Sequence, residues 1–336
     1  MDKTKMSLDE FLAEWYSDSQ CMTVHTSGST GKPKPVVVEK ARMEASARMT
    51  CRFLGLTPED TALLCMPLDF IAGKMMAVRS IVGGMKLISV EPSGHPLSSL
   101  SEPPSFAAMV PAQVYNSLQV SREAELLRGI RNLIIGGGAV DSSLACQLET
   151  FPNAVWSTYG MTETLSHIAM RRLNGMERSE YYKPLPGVTV SKAANGCLQI
   201  VAPEIFDGML QTNDIVEFKD SGSLFKVLGR IDNVIDSGGI KIHVEEVERL
   251  LRQKLAFEFA VSKQPDPKFG EIVVLAVTEQ RNGMSLVDIK SVAGSILPKY
   301  WRPKRYCVIG EIPYTATGKI ARKELYGMVC RCTDYL

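Results

Sequence analysis

The sequence predicts an α/β protein with a β-rich subdomain and a second, smaller α+β domain. Between residues 36 and 157, short apolar runs alternate with amphipathic helical patterns. From about residue 180 to 227 the pattern changes to short strands broken by Gly, Pro, Asn and Asp. Helical and strand patterns return after residue 231. We therefore expect a large domain over residues 1–231, β-rich at about 180–230, and a small domain over residues 232–336.

Individual elements follow from capping and periodicity. Ser7 and Glu10 form a capping box that predicts a short helix through Trp15. Asp141 is the expected N-cap of a helix that runs to about Glu149. Other helices are expected at about 41–54, 74–82, 244–255 and 286–297. Strands are expected at 36–38, 62–64, 86–90, 106–110, 132–135, 154–157, 257–261 and 272–277.

Composition narrows the class of protein. A chain of 336 residues exceeds what one hydrophobic core usually spans, which favours two domains. Apolar residues make up 45% and the net charge is +1, so nothing indicates a nucleic acid or an anionic membrane as partner. The first ten residues lack the apolar segment of a signal peptide, and no apolar run reaches the length of a bilayer. We expect a cytoplasmic protein without membrane insertion.

The cysteines give no sign of a metal site. The eight cysteines include no Cys-x-x-Cys pair, and the four histidines are scattered. Only Cys330 and Cys332 lie close together in the chain. We expect reduced thiols, as in a cytosolic protein.

The strongest local motif is a loop rich in hydroxyls, glycine and lysine. Residues 26–34 read Thr-Ser-Gly-Ser-Thr-Gly-Lys-Pro-Lys and follow a short apolar strand. Backbone N–H groups and lysines in such a loop can surround a polyphosphate. The spacing of Gly28 and Gly31 is too short for a Walker-type loop, so a P-loop NTPase is disfavoured. A mobile surface turn is the alternative.

This loop resembles the phosphate loop of the adenylate-forming superfamily, which includes acyl-CoA synthetases, peptide-synthetase adenylation domains and luciferases. Further motifs follow in that superfamily's order: Ile-Gly-Gly-Gly-Ala at 135–139, Tyr-Gly-Met-Thr-Glu-Thr at 159–164, Thr-Asn-Asp at 212–214, Gly-Arg-Ile-Asp at 229–232 with Gly-Gly-Ile-Lys-Ile at 238–242 and Glu-Glu-Val-Glu at 245–248, and Thr-Gly-Lys at 317–319. The resemblance covers nearly the whole chain. It implies the adenylate-forming fold, shortened at the N-terminus because the phosphate loop begins at residue 26, with a mobile small domain.

The resemblance implies an ATP- and AMP-binding site. Its expected residues are Thr26, Ser27, Gly28, Ser29, Thr30, Gly31, Lys34, Gly137, Gly138, Ala139, Tyr159, Gly160, Asp214 and Arg230. Tyr159 offers a flat aromatic face for adenine. Asp214 can accept hydrogen bonds from both ribose hydroxyls.

Catalysis and thiol transfer are implied by the same motifs. Lys319 is a cation that can bridge the substrate carboxylate and the α-phosphate, and Thr162 can donate to that phosphate. Glu163 is a hard oxygen ligand suited to Mg²⁺. In the superfamily the small domain rotates about the position of Asp232. Gly238, Gly239 and Lys241 are then expected along the path of CoA, although the two glycines also fit a plain β-turn.

The acid is suggested by residues 66–79, which are similar to the acyl-pocket segment of o-succinylbenzoate–CoA ligases of menaquinone biosynthesis. That resemblance implies that Gly73 and Arg79 contact the acid and that Arg79 binds the carboxylate that is not activated. An exposed position of Arg79 on a helix is the alternative. The implied reaction joins o-succinylbenzoate to CoA, consumes ATP, requires Mg²⁺, and releases AMP and pyrophosphate through an acyl-adenylate.

Several features depart from the superfamily. Pro35 and Asn213 stand where glycine is common, and Phe70 stands where histidine is frequent. The early position of the phosphate loop predicts that part of the pocket wall comes from elsewhere, for example from a second subunit of a homodimer. The alternatives are a ligase for another aryl or fatty acid, an adenylation protein that loads a carrier-protein thiol, and a non-catalytic member that binds nucleotide or acyl-adenylate.

Overall fold

The computed structural model describes residues 6–25, 35–140, 142–219, 222–315 and 320–332. Its helices are α1 (Leu8–Trp15), α2 (Lys40–Leu54), α3 (Ile71–Gly83), α4 (Pro111–Leu118), α5 (Ser121–Gly129), α6 (Ser142–Leu148), α7 (Val244–Leu251), α8 (Leu286–Ile296) and α9 (Arg322–Arg331). Its first nine strands are β1 (Cys21–His25), β2 (Pro35–Glu39), β3 (Thr61–Leu64), β4 (Lys86–Ser89), β5 (Phe106–Met109), β6 (Asn132–Ile135), β7 (Ala154–Gly160), β8 (His167–Arg172) and β9 (Lys183–Pro184). The other strands are β10 (Thr189–Lys192), β11 (Cys197–Val201), β12 (Leu210–Lys219), β13 (Leu224–Arg230), β14 (Val234–Ser237), β15 (Ile240–His243), β16 (Phe259–Asp266), β17 (Gly270–Val277) and β18 (Arg305–Val308).

A seven-stranded sheet organises the first half of the chain. Its order is β4-β3-β5-β6-β7-β8-β9. The first five strands of this order are parallel to one another, β8 is antiparallel to β7, and β9 is antiparallel to β8. Helices α2 and α3 cover one face, where Ala62 and Leu64 of β3 point. Helices α4, α5 and α6 cover the other face, where Leu63 points. Burial on both faces explains why these strands are continuous apolar runs rather than alternating ones.

Two further sheets follow. Strands β10 to β13 form an antiparallel sheet in chain order, as the change of pattern near residue 180 predicts. The last sheet has the order β15-β14-β17-β16, with β18 parallel to β17. Helices α7 and α8 pack on one of its faces and α9 on the other. The predicted α/β class with β-rich and α+β parts is confirmed, whereas the domain boundary at residues 231 and 232 stays a prediction.

Most predicted elements are present, and the differences have local causes. The capping box opens α1, with the Glu10 backbone N–H on Ser7 Oγ at 3.2 Å. Helix α7 ends four residues early because the next turn tightens, and Gln253 N donates to Leu250 O at 3.2 Å. Helices α4 and α5 are not among the expected helices; both are short, and they follow Val110 and Val120, which are not capping residues. The expected N-cap, Asp141, lies outside the described residues.

One expectation about the cysteines is wrong. Cys307 on β18 and Cys332, directly after α9, are joined by a disulfide, while the other six cysteines are free. The two are 25 residues apart in sequence, and only the packing of α9 against the last sheet brings them together.

Among the described residues, no helix has both the length and the apolar character needed to cross a bilayer.

Candidate active site

The site begins at the carboxyl edge of the parallel strands, where α/β proteins bind their ligands. The predicted adenine loop follows β6, and the Gly136 N–H donates to Met109 O at 3.1 Å. Thr158 Oγ1 on β7 donates to Ile135 O at 3.2 Å. A Cβ on Gly136 would lie 2.5 Å from that hydroxyl, and Gly137 has φ +78°. The close contact at Gly136 and the positive φ at Gly137 therefore favour glycine at these two positions.

Tyr159, Asp214 and Arg230 meet between two sheets. Tyr159, the second-last residue of β7, is half-buried, and its Oη donates to Asp214 Oδ2 at 2.5 Å. Asp214 and Arg230 are cross-strand partners, with Arg230 Nη1 3.4 Å from Oδ1. Burial, and then the Asp214 carboxylate, raise the pKa of the Tyr159 phenol, so it remains a donor. The structure thus brings together the residues predicted for adenine and for ribose.

The turn after β7 carries Thr162 and Glu163. A Cβ on Gly160 would lie 2.2 Å from Ser166 O, so only glycine allows the chain to fold back this tightly. Thr164 Oγ1 accepts from Met161 N at 3.0 Å. Leu165 has φ 60°, an uncommon conformation for a residue with a side chain. This closely constrained turn leaves Thr162 half-buried and Glu163 exposed.

Glu163 fits a magnesium ion held mainly by substrate. The described residues contain no group of three His, Cys, Asp or Glu side chains that could hold a metal ion by themselves. Mg²⁺ is commonly bound by one or two carboxylates together with phosphate oxygens and water. A single exposed carboxylate beside the predicted α-phosphate site agrees with that mode of binding.

The predicted hinge is a small polar cluster. Asp232 Oδ2 accepts from Arg230 Nη2 at 2.8 Å and from Asn213 Nδ2 at 3.1 Å. Asn213 is the residue that replaces the common glycine, and its side chain contacts the hinge residue. Asn233 Nδ2 donates to Glu245 Oε1 at 2.5 Å. Contacts on both sides of Asp232 thus hold the chain in the described conformation.

Gly238 and Gly239 form the two-residue turn of the β14–β15 hairpin. Both have positive φ, +62° and +83°, as a type I′ turn requires. The turn interpretation is therefore confirmed, while their role on the CoA path stays a prediction. The glycines and Lys241 are exposed.

Arg79 lies inside the protein rather than on an exposed helix face. Its side chain is 2% exposed, and among the described residues no carboxylate forms an ion pair with it. Arg79 Nε donates to Thr50 Oγ1 at 3.3 Å, and Nη2 donates to Ser166 Oγ. Burial lowers the pKa of Arg79 to about 10. The guanidinium is thus a buried cation without a protein counter-charge in the described structure.

Gly73, predicted to contact the acid, has a packing role. A Cβ there would lie 2.3 Å from Pro67 O, so glycine lets α3 pack directly on the preceding backbone. Its contact with the acid stays a prediction. Thr50, Ser166 and His167 surround Arg79. Residues 165–167, which follow the motif at 159–164, also resemble the o-succinylbenzoate–CoA ligases, but the sequence assigned no role to any of these three residues. His167 could have been suspected as a polar residue opening the apolar strand β8, but Thr50 gave no signal.

The remaining predicted site residues lie outside the described residues. These are Thr26, Ser27, Gly28, Ser29, Thr30, Gly31 and Lys34 of the phosphate loop, and Lys319 of the tail motif. The residues that flank both segments are placed. His25 and Pro35 are paired at the end of the β1–β2 ladder. Tyr314 and Ile320 form an antiparallel bridge.

A parallel sheet with glycine-rich and Tyr–Asp motifs at its carboxyl edge defines a nucleotide-binding α/β enzyme. The chain belongs to the AMP-binding enzyme family, whose sequence model matches residues 6–196.

Individual relatives extend this similarity over almost the whole chain. A 2-succinylbenzoate–CoA ligase of Bacillus mycoides (strain KBAB4) is 27% identical over 96% of this chain and 73% of its own. The structure of an acyl-CoA synthetase (AMP-forming)/AMP-acid ligase II-like protein from Dyadobacter fermentans is 34% identical, with a TM-score of 0.65, and the match covers 95% of this chain and 93% of that one. The structure of an o-succinylbenzoate CoA synthetase from Bacillus subtilis, solved in complex with its acyl-adenylate intermediate, is 25% identical with a TM-score of 0.75. The match covers 90% of this chain and 68% of that one.

Proposed function

We propose that this protein is an AMP-forming acid–CoA ligase that converts o-succinylbenzoate, ATP and CoA to o-succinylbenzoyl-CoA, AMP and pyrophosphate through an acyl-adenylate. The observation that carries the choice of acid is the buried Arg79, which no described carboxylate neutralises. The named activities of the relatives from Bacillus agree with this proposal.

The chemistry of Arg79 favours an acid with two carboxylates. Removing a charge from water costs several kcal/mol, and a buried cation is stabilised only when an anion or further hydrogen bonds approach it. One carboxylate of the substrate must remain free to be activated. A second carboxylate can bind Arg79 in the bidentate geometry that guanidinium favours. A monocarboxylic acid would leave the buried charge without a partner.

The adenylation step uses residues at the carboxyl edge of the sheet. Tyr159 would stack on adenine beside the loop of Gly137, Gly138 and Ala139. Asp214, oriented by Tyr159 and Arg230, would accept the ribose hydroxyls. The phosphate loop at residues 26–34 would hold the phosphates.

Charge that builds on the α-phosphate would be stabilised by Thr162 and Lys319. Glu163 would hold Mg²⁺, and the bound ion would neutralise negative charge on the phosphates.

The thioester step would follow a rotation of the small domain, residues 232–336, about Asp232. Gly238, Gly239 and Lys241 would then lie along the path of CoA. We place this reaction in the cytoplasm, where ATP and CoA are supplied, and we propose that a second subunit of a homodimer completes the acid pocket.

The test is pyrophosphate release with ATP and Mg²⁺ from o-succinylbenzoate, benzoate and a fatty acid, each with and without CoA. We expect turnover that is selective for o-succinylbenzoate, with thioester formation only when CoA is present. Lys319→Ala should lose acid-dependent pyrophosphate release while ATP binding persists. Equal turnover of benzoate would contradict the dicarboxylic acid, and no release with any acid would contradict the ligase.

A further inference from the structure

The side chains around Arg79 form a closed polar network inside the protein. Thr50 comes from α2, Arg79 from α3, Ser166 from the turn before β8, and His167 from β8 itself. Thr50, Arg79 and His167 are 0%, 2% and 6% exposed. Thr50 Oγ1 lies 2.9 Å from His167 Nε2, and Ser166 Oγ lies 3.3 Å from Nδ1. His167 therefore contacts both of the hydroxyls that bind the guanidinium.

The donors and acceptors assign the imidazole tautomer. Ser166 Oγ accepts from Arg79 Nη2, which leaves its own proton for His167 Nδ1. The imidazole proton then lies on Nε2 and is donated to Thr50 Oγ1. Thr50 Oγ1 also accepts from Arg79 Nε and donates to Ser46 O at 3.3 Å. In this arrangement every hydrogen bond of the cluster has one donor and one acceptor.

The opposite tautomer satisfies fewer of these contacts. If Nδ1 carried the proton, Ser166 Oγ would accept from both His167 and Arg79, and its own proton would have no acceptor within the cluster. Thr50 would have to donate to Nε2 and would lose its bond to Ser46 O. A charged imidazole is also disfavoured, since burial and then the charge of Arg79 lower the pKa of His167 well below its ordinary 6.5.

We propose that His167 is a positioning residue that determines specificity for the acid. In its neutral form it holds Thr50 and Ser166, and these two hydroxyls fix Arg79 so that Nη1 faces the second carboxylate of the acid. Arg79 Nη1 has no hydrogen-bond partner among the described residues, whereas Nε and Nη2 are both used. The inference rests on the proposed function and deepens it, because it explains how a single guanidinium is fixed without a protein carboxylate that would compete with the substrate.

The position of the Arg79 guanidinium affects only the carboxylate of the acid that is not activated. Loss of the His167 contacts would free Thr50 and Ser166 to rotate and would let Arg79 move away from the acid. Because Arg79 binds the carboxylate that does not react, we expect a change in KM for the dicarboxylic acid with little change in kcat or in KM for ATP. A merely structural role would alter all three constants together or lower the amount of folded enzyme.

The test compares His167→Phe, His167→Gln and Thr50→Val, with His95→Phe as the matched control on a half-exposed histidine. We expect His167→Phe to raise KM for o-succinylbenzoate at least ten-fold and to leave KM for ATP within two-fold of wild type. His167→Gln should recover most of the affinity, because its amide N–H can still donate to Thr50 Oγ1. Thr50→Val should resemble His167→Phe, and His95→Phe should resemble wild type.

A second readout does not depend on activity. In ¹⁵N-labelled wild-type protein, NMR should show His167 protonated on Nε2 and not on Nδ1, with no change between pH 5.5 and 8. The Nδ1–H tautomer, or an unchanged KM for o-succinylbenzoate in folded His167→Phe, would overturn the inference and leave the ligase intact. A wild-type enzyme that does not discriminate between o-succinylbenzoate and benzoate would overturn the proposed acid, and this inference with it.

Discussion

Tyr159 and Asp214 are joined by a hydrogen bond of 2.5 Å from the phenol Oη to the carboxylate Oδ2. This bond connects the end of β7 in the seven-stranded sheet to β12 in the antiparallel sheet. The residues proposed for adenine and for ribose therefore form one unit. The ring of Tyr159 is further packed against Phe225 at 5.2 Å and Tyr182 at 5.8 Å between centroids. Contacts within the protein thus hold the residues of the proposed adenosine site in place.

Tyr159→Phe tests this connection. The variant keeps the aromatic face but removes the donor to Asp214, so we expect KM for ATP to rise about five- to ten-fold, or ~1 kcal/mol. Tyr159→Ala should raise it further because the stacking face is lost as well. Tyr181→Phe is the control, since Tyr181 makes a similar bond to the exposed Glu217. An unchanged KM for ATP in Tyr159→Phe would show that the bond has no part in nucleotide binding.

The sequence could predict the motifs of the site because each motif is a continuous segment at the end of one element. The glycines at 136–138 and the turn at 160–166 illustrate this, since their conformation depends on close neighbours in the chain. Continuous apolar runs likewise indicated the parallel strands. Five of the seven strands, β3 to β7, are predicted on that basis, whereas β8 and β9 are not. The β-rich part is predicted by its turn residues instead.

The environment of Arg79 could not be predicted in the same way. Thr50, which bonds to Arg79, and His167, which bonds to Thr50, are 117 residues apart in the chain, and they meet only because α2, α3 and β8 pack together. Periodicity shows which face of a helix is buried, but not which polar group lies opposite. The disulfide between Cys307 and Cys332 depends on packing for the same reason.

Arg79 should be destabilising in the free enzyme. We expect Arg79→Met, of similar length, to raise the free energy of unfolding by about 1 kcal/mol, because the variant removes a buried cation without a counter-charge. O-succinylbenzoate should raise Tm of the wild type through binding to the folded state, and should not raise Tm of the variant. Arg48→Met, at an exposed arginine 3.4 Å from Glu44, is the control. A loss of more than 1 kcal/mol in Arg79→Met would show that the network compensates the charge by itself.

His167 should make the folded protein sensitive to acid. Its pKa is lowered in the folded state by burial and then by Arg79, so below pH 6.5 the unfolded chain binds a proton that the folded chain does not. Stability should therefore fall as pH decreases from 6.5 towards the folded-state pKa, by at most about 1.4 kcal/mol per pH unit.

His167→Gln should remove this part of the pH dependence. Urea unfolding at pH 7 and pH 5 gives the slope of the free energy of unfolding against pH. The contribution of His167 is the difference in this slope between the variant and the wild type. His95→Gln controls for the loss of a histidine at the surface. Equal slopes for His167→Gln and wild type would mean that His167 binds its proton equally well in the folded and unfolded states.

Arg322 should position the segment that carries Lys319. Its Nη1 and Nη2 donate to Glu248 Oε1 and Oε2, both at 2.7 Å, and Nη1 also donates to Val261 O at 3.0 Å. Glu248 is 6% exposed and also accepts from Val261 N at 2.8 Å. Arg322 follows Lys319 by three residues in the sequence, and its contacts hold the start of α9 against α7 and β16.

Arg322→Lys should therefore impair adenylation selectively. A lysine cannot reproduce the bidentate bond, so we expect a stability loss of about 2–3 kcal/mol and an approximately ten-fold slower single-turnover formation of acyl-adenylate. Thioester formation from added acyl-adenylate and CoA should keep its rate, because the role proposed for Lys319 is confined to adenylation. Arg249→Lys is the matched control, since Arg249 makes a bidentate pair with Glu246 on the exposed side of the same helix. Equal slowing of both half-reactions in Arg322→Lys would show that the pair supports the whole small domain rather than the lysine segment.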